Sequence, residues 1–233
     1  MNETSLLSVR DVSNVYTDRK VGLFGKTELK HVLNHVSMEM NHGEIFGLTG
    51  KSGCGKTTLM RCILGLIDYE GEILFSGGIL KKDKHRIQMV FQDPGASLNP
   101  VKKIGWLMEE PLNIHKIGES GDRSSLVDDI LLRVGLDPSY KNRSVHELSG
   151  GQKQRICIGR ALLVKPQLLI ADEAISSLDA SAGAQILNLL RELHKNSRLS
   201  ILFISHNKDA AEYLCDKIAF MEKGEIKKIE DVR

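Results

Sequence analysis

The sequence contains no long hydrophobic run. No stretch approaches the roughly 20 consecutive apolar residues that a membrane-spanning helix needs. The N-terminus also has no basic segment followed by a long apolar stretch, which is the pattern of a secretory signal. We therefore expect neither a membrane span nor a signal peptide, so that any role at a membrane would depend on partner proteins.

Closely spaced cysteines and a strong charge of one sign are also missing. The four cysteines (Cys54, Cys62, Cys157 and Cys215) lie far apart without a CxxC pair, which is typical of reduced thiols in the cytosol. The 32 Lys and Arg residues nearly balance the 30 Asp and Glu residues, whereas a dedicated nucleic-acid-binding protein normally carries a basic stripe. We expect no nucleic-acid partner.

The N-terminal third shows patterns of strands and then of an α/β unit. Apolar and polar residues alternate over 6–15 and 32–40, which predicts two half-buried strands with a loop at 18–30 between them. A short apolar strand at 43–50 then runs into glycines, and helical spacing follows. A strand that leads through a glycine-rich turn into a helix is the beginning of an α/β unit.

The middle of the chain has a different character. Prolines interrupt the beginning of 93–165, and its later apolar residues recur at helical spacing, which predicts a mostly helical lobe. Beyond it, the pattern predicts a buried strand at 168–171, a helix around 186–193 and another buried strand at 201–204. A hairpin around Lys223 and Gly224 ends the pattern.

These elements predict one fold class. We expect an α/β core of the phosphate-loop type, with a small antiparallel β portion at the N-terminus and the helical lobe inserted into the core. The length of 233 residues and a hydrophobic content of 41% suit a single domain over residues 1–233.

Residues 50–57 match the phosphate-binding loop GxxxxGK[ST]. Glycines let the backbone curl so that several N–H groups point at one anion, and the following helix adds partial positive charge at its N-terminus. We expect Lys56 to reach the β- and γ-phosphates of ATP, and the Thr57 hydroxyl to bind Mg²⁺. The candidate ATP-binding residues here are Gly50, Ser52, Gly53, Cys54, Gly55, Lys56, Thr57 and Thr58.

Two acidic residues end the apolar strand at 168–171. Asp172 would hold Mg²⁺ through water, and Glu173 would orient and polarise the attacking water. Carboxylates at the carboxyl end of a buried strand lie where α/β folds bind their ligands. The alternative is that both residues are solvated acids without a role. The phosphate-binding loop upstream argues against this alternative.

A third motif determines the class of ATPase. Two glycines precede a helix in the segment LSGGQ at 148–152, which predicts a second anion site at a helix N-terminus, with the Ser149 hydroxyl able to donate to phosphate. The candidate residues are Ser149, Gly150, Gly151 and Gln152. With these three motifs together, the chain resembles the ATP-binding-cassette ATPases.

The resemblance implies roles for further residues. Gln92 resembles the Q-loop glutamine that contacts Mg²⁺ and senses the membrane subunits, and residues 177–179 resemble the D-loop. His206 resembles the switch histidine that contacts the γ-phosphate. Tyr16 resembles the aromatic residue that stacks on adenine, and Phe24 in the same loop is an alternative.

Two positions depart from the pattern of many cassettes. Ala174 stands where many have proline, and Asn207 stands where many have aspartate. Neither change removes a group that contacts phosphate. We therefore expect Glu173, His206 and Lys56 to support catalysis.

Within the family, the chain is most similar to the oligopeptide, dipeptide and nickel uptake branch. The segments VFQDPGASLNP and SSLDASAGAQILNLL support this resemblance, and the GLFG insertion after Tyr16 resembles the second of the two different ATPases in such importers. One departure is that the chain stops soon after the hairpin, without the C-terminal region of many members of this branch.

The branch implies an ATPase subunit on the cytoplasmic face of the cell membrane that drives import of peptides or of nickel and metal chelates. Its partners would be transmembrane permease subunits, a second and different cassette ATPase, and, indirectly, an extracellular substrate-binding protein.

Two other functions are open to a cassette protein. Soluble cassettes of DNA repair or translation typically carry a long coiled coil or two cassettes in one chain, and this sequence shows neither. A non-catalytic regulatory cassette is the second alternative. The intact Lys56, Glu173 and His206 argue against it, and an ATPase assay would distinguish a regulatory cassette from a catalytic one.

Overall fold

The computed structural model describes residues 5–19, 27–76, 78, 84–119 and 121–233. The strands in this part of the chain are β1 (Ser5–Arg19), β2 (Thr27–Asn41), β3 (Ile45–Thr49), β4 (Glu70–Phe75), β5 (Ile87–Val90), β6 (Leu168–Asp172), β7 (Ser200–Ser205), β8 (Lys217–Glu222) and β9 (Glu225–Asp231). The α-helices are α1 (Lys56–Ile63), α2 (Pro94–Ser97), α3 (Ile104–Ile114), α4 (Arg123–Arg133), α5 (Gly150–Leu162), α6 (Ala180–Ser197) and α7 (Lys208–Leu214).

The chain divides into two compact units. The first unit comprises Met1–Lys84 and Phe203–Arg233, and the second comprises His85–Leu202. The division falls inside β7. The assignment of residues 1–233 to a single domain stays a prediction.

The first unit contains an antiparallel sheet with the strand order β2-β1-β4. Val9 of β1 lies opposite Met38 of β2 and Ile73 of β4, and all three side chains are buried. The two predicted strands are therefore confirmed, but the loop predicted at 18–30 was too long. β1 runs to Arg19 and β2 starts at Thr27 because these ends pair with each other in the same antiparallel ladder.

The first unit also holds the strand that leads into the phosphate-binding loop. β3 is buried along its whole length and pairs in parallel with β8, which in turn pairs with β9 in an antiparallel hairpin. Lys223 and Gly224 connect the hairpin with positive φ values of 49° and 82°. Two residues with positive φ form a tight turn whose twist matches that of the flanking strands, so the predicted hairpin is present.

The second unit combines parallel strands with helices. β5 and β6 pair in parallel, with Val90 opposite Ala171, and the apolar residues of β6 are buried as predicted. The regular elements that the structure describes between 93 and 165 are helical. Helix α5 packs against α2, α3, α4 and α6, and the guanidinium of Arg160 on α5 bonds to the Glu110 carboxylate on α3.

The predicted fold class is confirmed: α/β, with parallel strands and helices, an N-terminal antiparallel portion and a helical lobe. Strands β4 and β5 and helix α7 were not predicted. Among the residues described, no helix has the length and apolar character to span a bilayer.

Candidate functional site

The phosphate-binding loop connects β3 to α1 in the first unit. Gly53 and Gly55 have φ values of +78° and +113°, which an L-residue adopts only with strain. Gly55 is the N-cap of α1, and no side chain caps this helix. Because the first N–H groups of a helix have no intrahelical partner, this loop presents backbone donors and partial positive charge to an anion.

Lys56 lies inside this loop rather than in solvent. The residue is only 7% exposed, and its ammonium group donates to the carbonyl oxygens of Gly50 and Lys51 at 2.7 and 3.2 Å. Thr57 is exposed and Thr58 half-buried at the start of α1. The loop therefore surrounds a fixed cation and has a hydroxyl on its outer side, as the binding of a magnesium-bound phosphate requires.

The hairpin of β8 and β9 packs against the phosphate-binding loop. The Gly224 N–H donates to the Cys54 carbonyl oxygen at 2.9 Å. A methyl group at position 50 would lie 2.3 Å from the carbonyl oxygen of Met221, so only glycine fits there. The residues thus form a close-fitting backbone cradle of the kind that nucleotide phosphates occupy.

Two further predicted residues belong to the first unit. Tyr16 lies in β1 opposite Lys30, but its side chain is outside the part of the chain that the structure describes, as is Phe24. His206 directly follows β7. Asn207 caps α7, since its side-chain oxygen accepts from the Ala210 N–H at 3.0 Å. Asparagine caps a helix as well as aspartate does, so this departure preserves the local structure.

In the second unit, Gln92 comes shortly after β5, and Asp172 is the last residue of the neighbouring parallel strand β6. Because Val90 lies opposite Ala171, both residues come at the carboxyl ends of β5 and β6, on the same edge. The Ser177 hydroxyl of the D-loop donates to the Gln92 carbonyl oxygen at 3.2 Å. The structure therefore places Gln92 and Asp172 at the same edge of the sheet, and their side chains carry oxygen atoms of the kind that Mg²⁺ prefers.

Glu173 has a left-handed backbone, with φ at 51°. This region is unfavourable for a residue with a Cβ, and it occurs immediately after β6, where a turn begins. The Glu173 carbonyl oxygen accepts from the N–H and from the hydroxyl of Ser176 at 3.0 and 2.9 Å. Ala174, the second departure from the family pattern, is buried in this turn with 1% exposure. Strained backbone of this kind persists only where the surrounding structure supports it.

Ser149 begins α5 with a reciprocal cap. Its hydroxyl oxygen accepts from the Gln152 N–H at 3.3 Å, and the Gln152 side-chain oxygen accepts from the Ser149 N–H at 3.0 Å. Gly150 and Gly151 occupy the first two helical positions, whose N–H groups have no intrahelical partner. These two amides and the Ser149 hydroxyl hydrogen are the donors that can face an anion.

Two titratable groups next to this motif have shifted pKa values. Hydrogen bonds from Ser144 lower the pKa of Glu147, in the segment that leads into the motif. Burial raises the pKa of the Cys157 thiol on α5 to about 12, so this thiol stays protonated at neutral pH. Glu147 thus remains a charged cap, while Cys157 acts as a packing residue.

One residue at this motif could not be predicted from the sequence. The Gln152 side-chain nitrogen donates to the Tyr140 hydroxyl at 3.0 Å, and the Arg143 guanidinium lies 3.8 Å from the centre of the Tyr140 ring. No motif includes Tyr140, and its contact with Gln152 depends on tertiary structure.

The sequence matches a known protein family. The family model described as ABC transporter matches residues 33–176. The chain belongs to the ABC transporter family. It is 41% identical to the oligopeptide transport ATP-binding protein AppF of Bacillus subtilis over 97% of this chain and 71% of that protein. It is also 41% identical to the oligopeptide transport ATP-binding protein OppF of Streptococcus mutans, over 98% of this chain and 75% of that protein.

A solved structure gives the same result for the fold of this ABC protein. The dimeric, post-hydrolysis ATP-binding cassette MJ0796 with ADP and Pi matches with a TM-score of 0.80 and 26% identity, over 98% of this chain and 99% of that one. The predicted family is confirmed, and the two named relatives fall within the predicted branch. The chain is accordingly an ATPase of the transporter class, which binds nucleotide and couples its hydrolysis to transport.

Proposed function

We propose that this ABC ATPase drives peptide import from the cytoplasmic face of the cell membrane. It would act on transmembrane permease subunits that receive their substrate from an extracellular binding protein. The observation that supports peptide rather than another cargo is the 41% identity, over nearly the whole chain, to two proteins named for oligopeptide transport. Both are ATP-binding components of transport systems by name.

In the first unit, the loop at 50–58 binds the phosphates of ATP. Lys56 exchanges its two carbonyl partners for phosphate oxygens, which supply a full negative charge and make stronger bonds to the ammonium group. Thr57 offers its exposed hydroxyl to Mg²⁺. Tyr16 stacks on adenine, and His206 donates to the γ-phosphate.

In the second unit, Glu173 activates the attacking water. Asp172, through water, and Gln92 would hold Mg²⁺, and the bound ion would neutralise charge on the phosphates. Glu173 directly follows the end of β6, and its backbone is left-handed. Positioning and charge stabilisation of this kind account for most of the catalysis in phosphoryl transfer.

The donors of Ser149, Gly150 and Gly151, with Gln152 holding the cap, act on ATP bound by a second cassette subunit. The branch pairs two unlike ATPases, so the second cassette is a different chain in this proposal. A lone chain would then lack one set of preorganised donors, which typically costs about 10²–10³ in rate. Its specific rate should stay low at every concentration until the partner and permease are added, whereas a homodimer would gain activity with its own concentration.

Reconstitution tests the transport function. The complete system, with permease, binding protein and partner cassette in vesicles, should hydrolyse ATP faster when an oligopeptide is added, and should accumulate the peptide. Glu173→Gln should slow hydrolysis about 10²–10³-fold, while Glu192→Gln on the exposed face of α6 should not.

Other outcomes would contradict the proposal. Stimulation by a nickel chelate but not by peptides would assign the other cargo of the branch. Full ATPase activity that responds to neither permease nor substrate would favour a soluble cassette. Absence of hydrolysis in the complete system would favour a regulatory cassette.

A further inference from the structure

The LSGGQ segment at 148–152 is the signature motif, and Tyr140 contacts it from a neighbouring segment of the second unit. It lies in the 3₁₀ helix Pro138–Asn142, and its hydroxyl oxygen accepts from the Gln152 side-chain nitrogen at 3.0 Å. Tyr140, Ser149, Gln152 and Arg155 line a cavity of about 480 Å³. The tyrosine is therefore next to the proposed anion donors but is not one of them.

The Gln152 amide is held at both ends. The Ser149 N–H can only donate, so the Gln152 atom that faces it at 3.0 Å must be the side-chain oxygen. The nitrogen of the same amide then points at Tyr140. Since the Ser149 hydroxyl accepts from the Gln152 N–H, its own hydrogen remains available for an anion. Tyr140 thus fixes the side chain that in turn fixes the Ser149 backbone.

The segment that carries Tyr140 is itself well anchored. The Asp137 carboxylate accepts from the Ser139 N–H at 2.8 Å, and the Lys141 ammonium pairs with Asp128 of α4 at 2.6 Å. The Arg143 carbonyl oxygen accepts from the Ile104 N–H at 3.0 Å, while the guanidinium of Arg143 lies over the tyrosine ring. A cation over the ring face restricts the plane of the ring, so the hydroxyl is presented in a defined direction.

We propose that Tyr140 is a positioning residue that holds Gln152, and through it Ser149, in the geometry needed to donate to phosphate. This inference rests on the proposed role of the signature donors. Without the phenol hydroxyl, the Gln152 side chain regains rotational freedom and the reciprocal cap opens more often. One neutral hydrogen bond corresponds to about a fivefold change in such an equilibrium.

The test replaces only the hydroxyl, with Tyr140→Phe, and uses Tyr213→Phe on the exposed surface of α7 as the matched control. In the isolated chain, hydrogen exchange of the Ser149 amide should become about fivefold faster, and the melting temperature should fall by no more than about 2–4 °C. In the complete transporter, kcat should fall about fivefold while the KM for ATP stays within twofold. Unchanged exchange and unchanged kcat would overturn the inference, as would equal effects of Tyr213→Phe.

A double-mutant cycle separates this inference from the function on which it rests. In a Gln152→Ala background, Tyr140→Phe should have no further effect on kcat, because the group it positions is gone. An equal loss in both backgrounds would show that Tyr140 acts elsewhere. If Ser149→Ala and Gln152→Ala themselves leave kcat unchanged, the proposed role of the signature donors fails, whatever Tyr140 does.

Discussion

The left-handed backbone of Glu173 should affect the stability of variants at this position. A left-handed conformation costs an L-residue roughly 1–2 kcal/mol, and glycine avoids this cost but loses about 0.5–1 kcal/mol more entropy on folding. Glu173→Gly should therefore be more stable than Glu173→Ala by about 0.5–1 kcal/mol. The comparison isolates the backbone because both variants remove the carboxylate and all of its contacts.

The assay is urea or thermal unfolding of the chain, followed by circular dichroism. For a protein of this size, 1 kcal/mol shifts the melting temperature by roughly 2–4 °C, so the difference is within reach. Arg198 provides a matched pair, since it is exposed, has φ at 50° and ends α6 in the same unit. Arg198→Gly should exceed Arg198→Ala in stability by a similar amount.

ATPase activity should distinguish the two positions. Both Glu173 variants should be slow ATPases, whereas both Arg198 variants should retain the wild-type rate. A glycine variant at 173 that is no more stable than the alanine variant, while the Arg198 pair behaves as expected, would refute the strained backbone. Wild-type turnover in either Glu173 variant would remove this carboxylate from the mechanism.

Three further predictions concern the first unit and the thiols. Lys56→Ala should weaken ATP binding about 10–100-fold by calorimetry because it removes a charge-assisted contact, whereas Lys195→Ala should not; equal affinities would contradict this role. Gly50→Ala should destabilise the chain far more than Gly53→Ala, which meets no atom within 4 Å and costs only about 1 kcal/mol of backbone strain; equal unfolding midpoints would contradict the cradle. Burial raises the pKa of Cys62 to about 11 and of Cys157 and Cys215 to about 12, so that above pH 9 these thiols lose their protons in the unfolded state before they do in the folded state. The urea concentration at the unfolding midpoint should therefore fall as the pH rises from 9 towards 12, and a midpoint that does not depend on pH would contradict this.

Elements whose signal is local could be predicted from the sequence. The phosphate-binding loop combines a buried strand, glycines and a helix start in one continuous segment, and Ser149 with Gln152 forms a capping pair within one helical turn. The strands β4 and β5 were missed because their apolar residues neither alternate over enough positions nor form a long continuous run. Their place in the fold depends on distant pairing partners.

The geometry at Glu173 could not be predicted for a different physical reason. Sequence patterns indicate a positive φ mainly through glycine, since other residues adopt it only when tertiary structure supports the cost. Here the support consists of two hydrogen bonds from Ser176 and a buried Ala174, neither of which forms a motif by itself. The same holds for Tyr140, whose partner Gln152 is reached only through the fold of the second unit. Sequence can therefore name the groups that contact phosphate, whereas the residues that hold those groups in position become visible only in the structure.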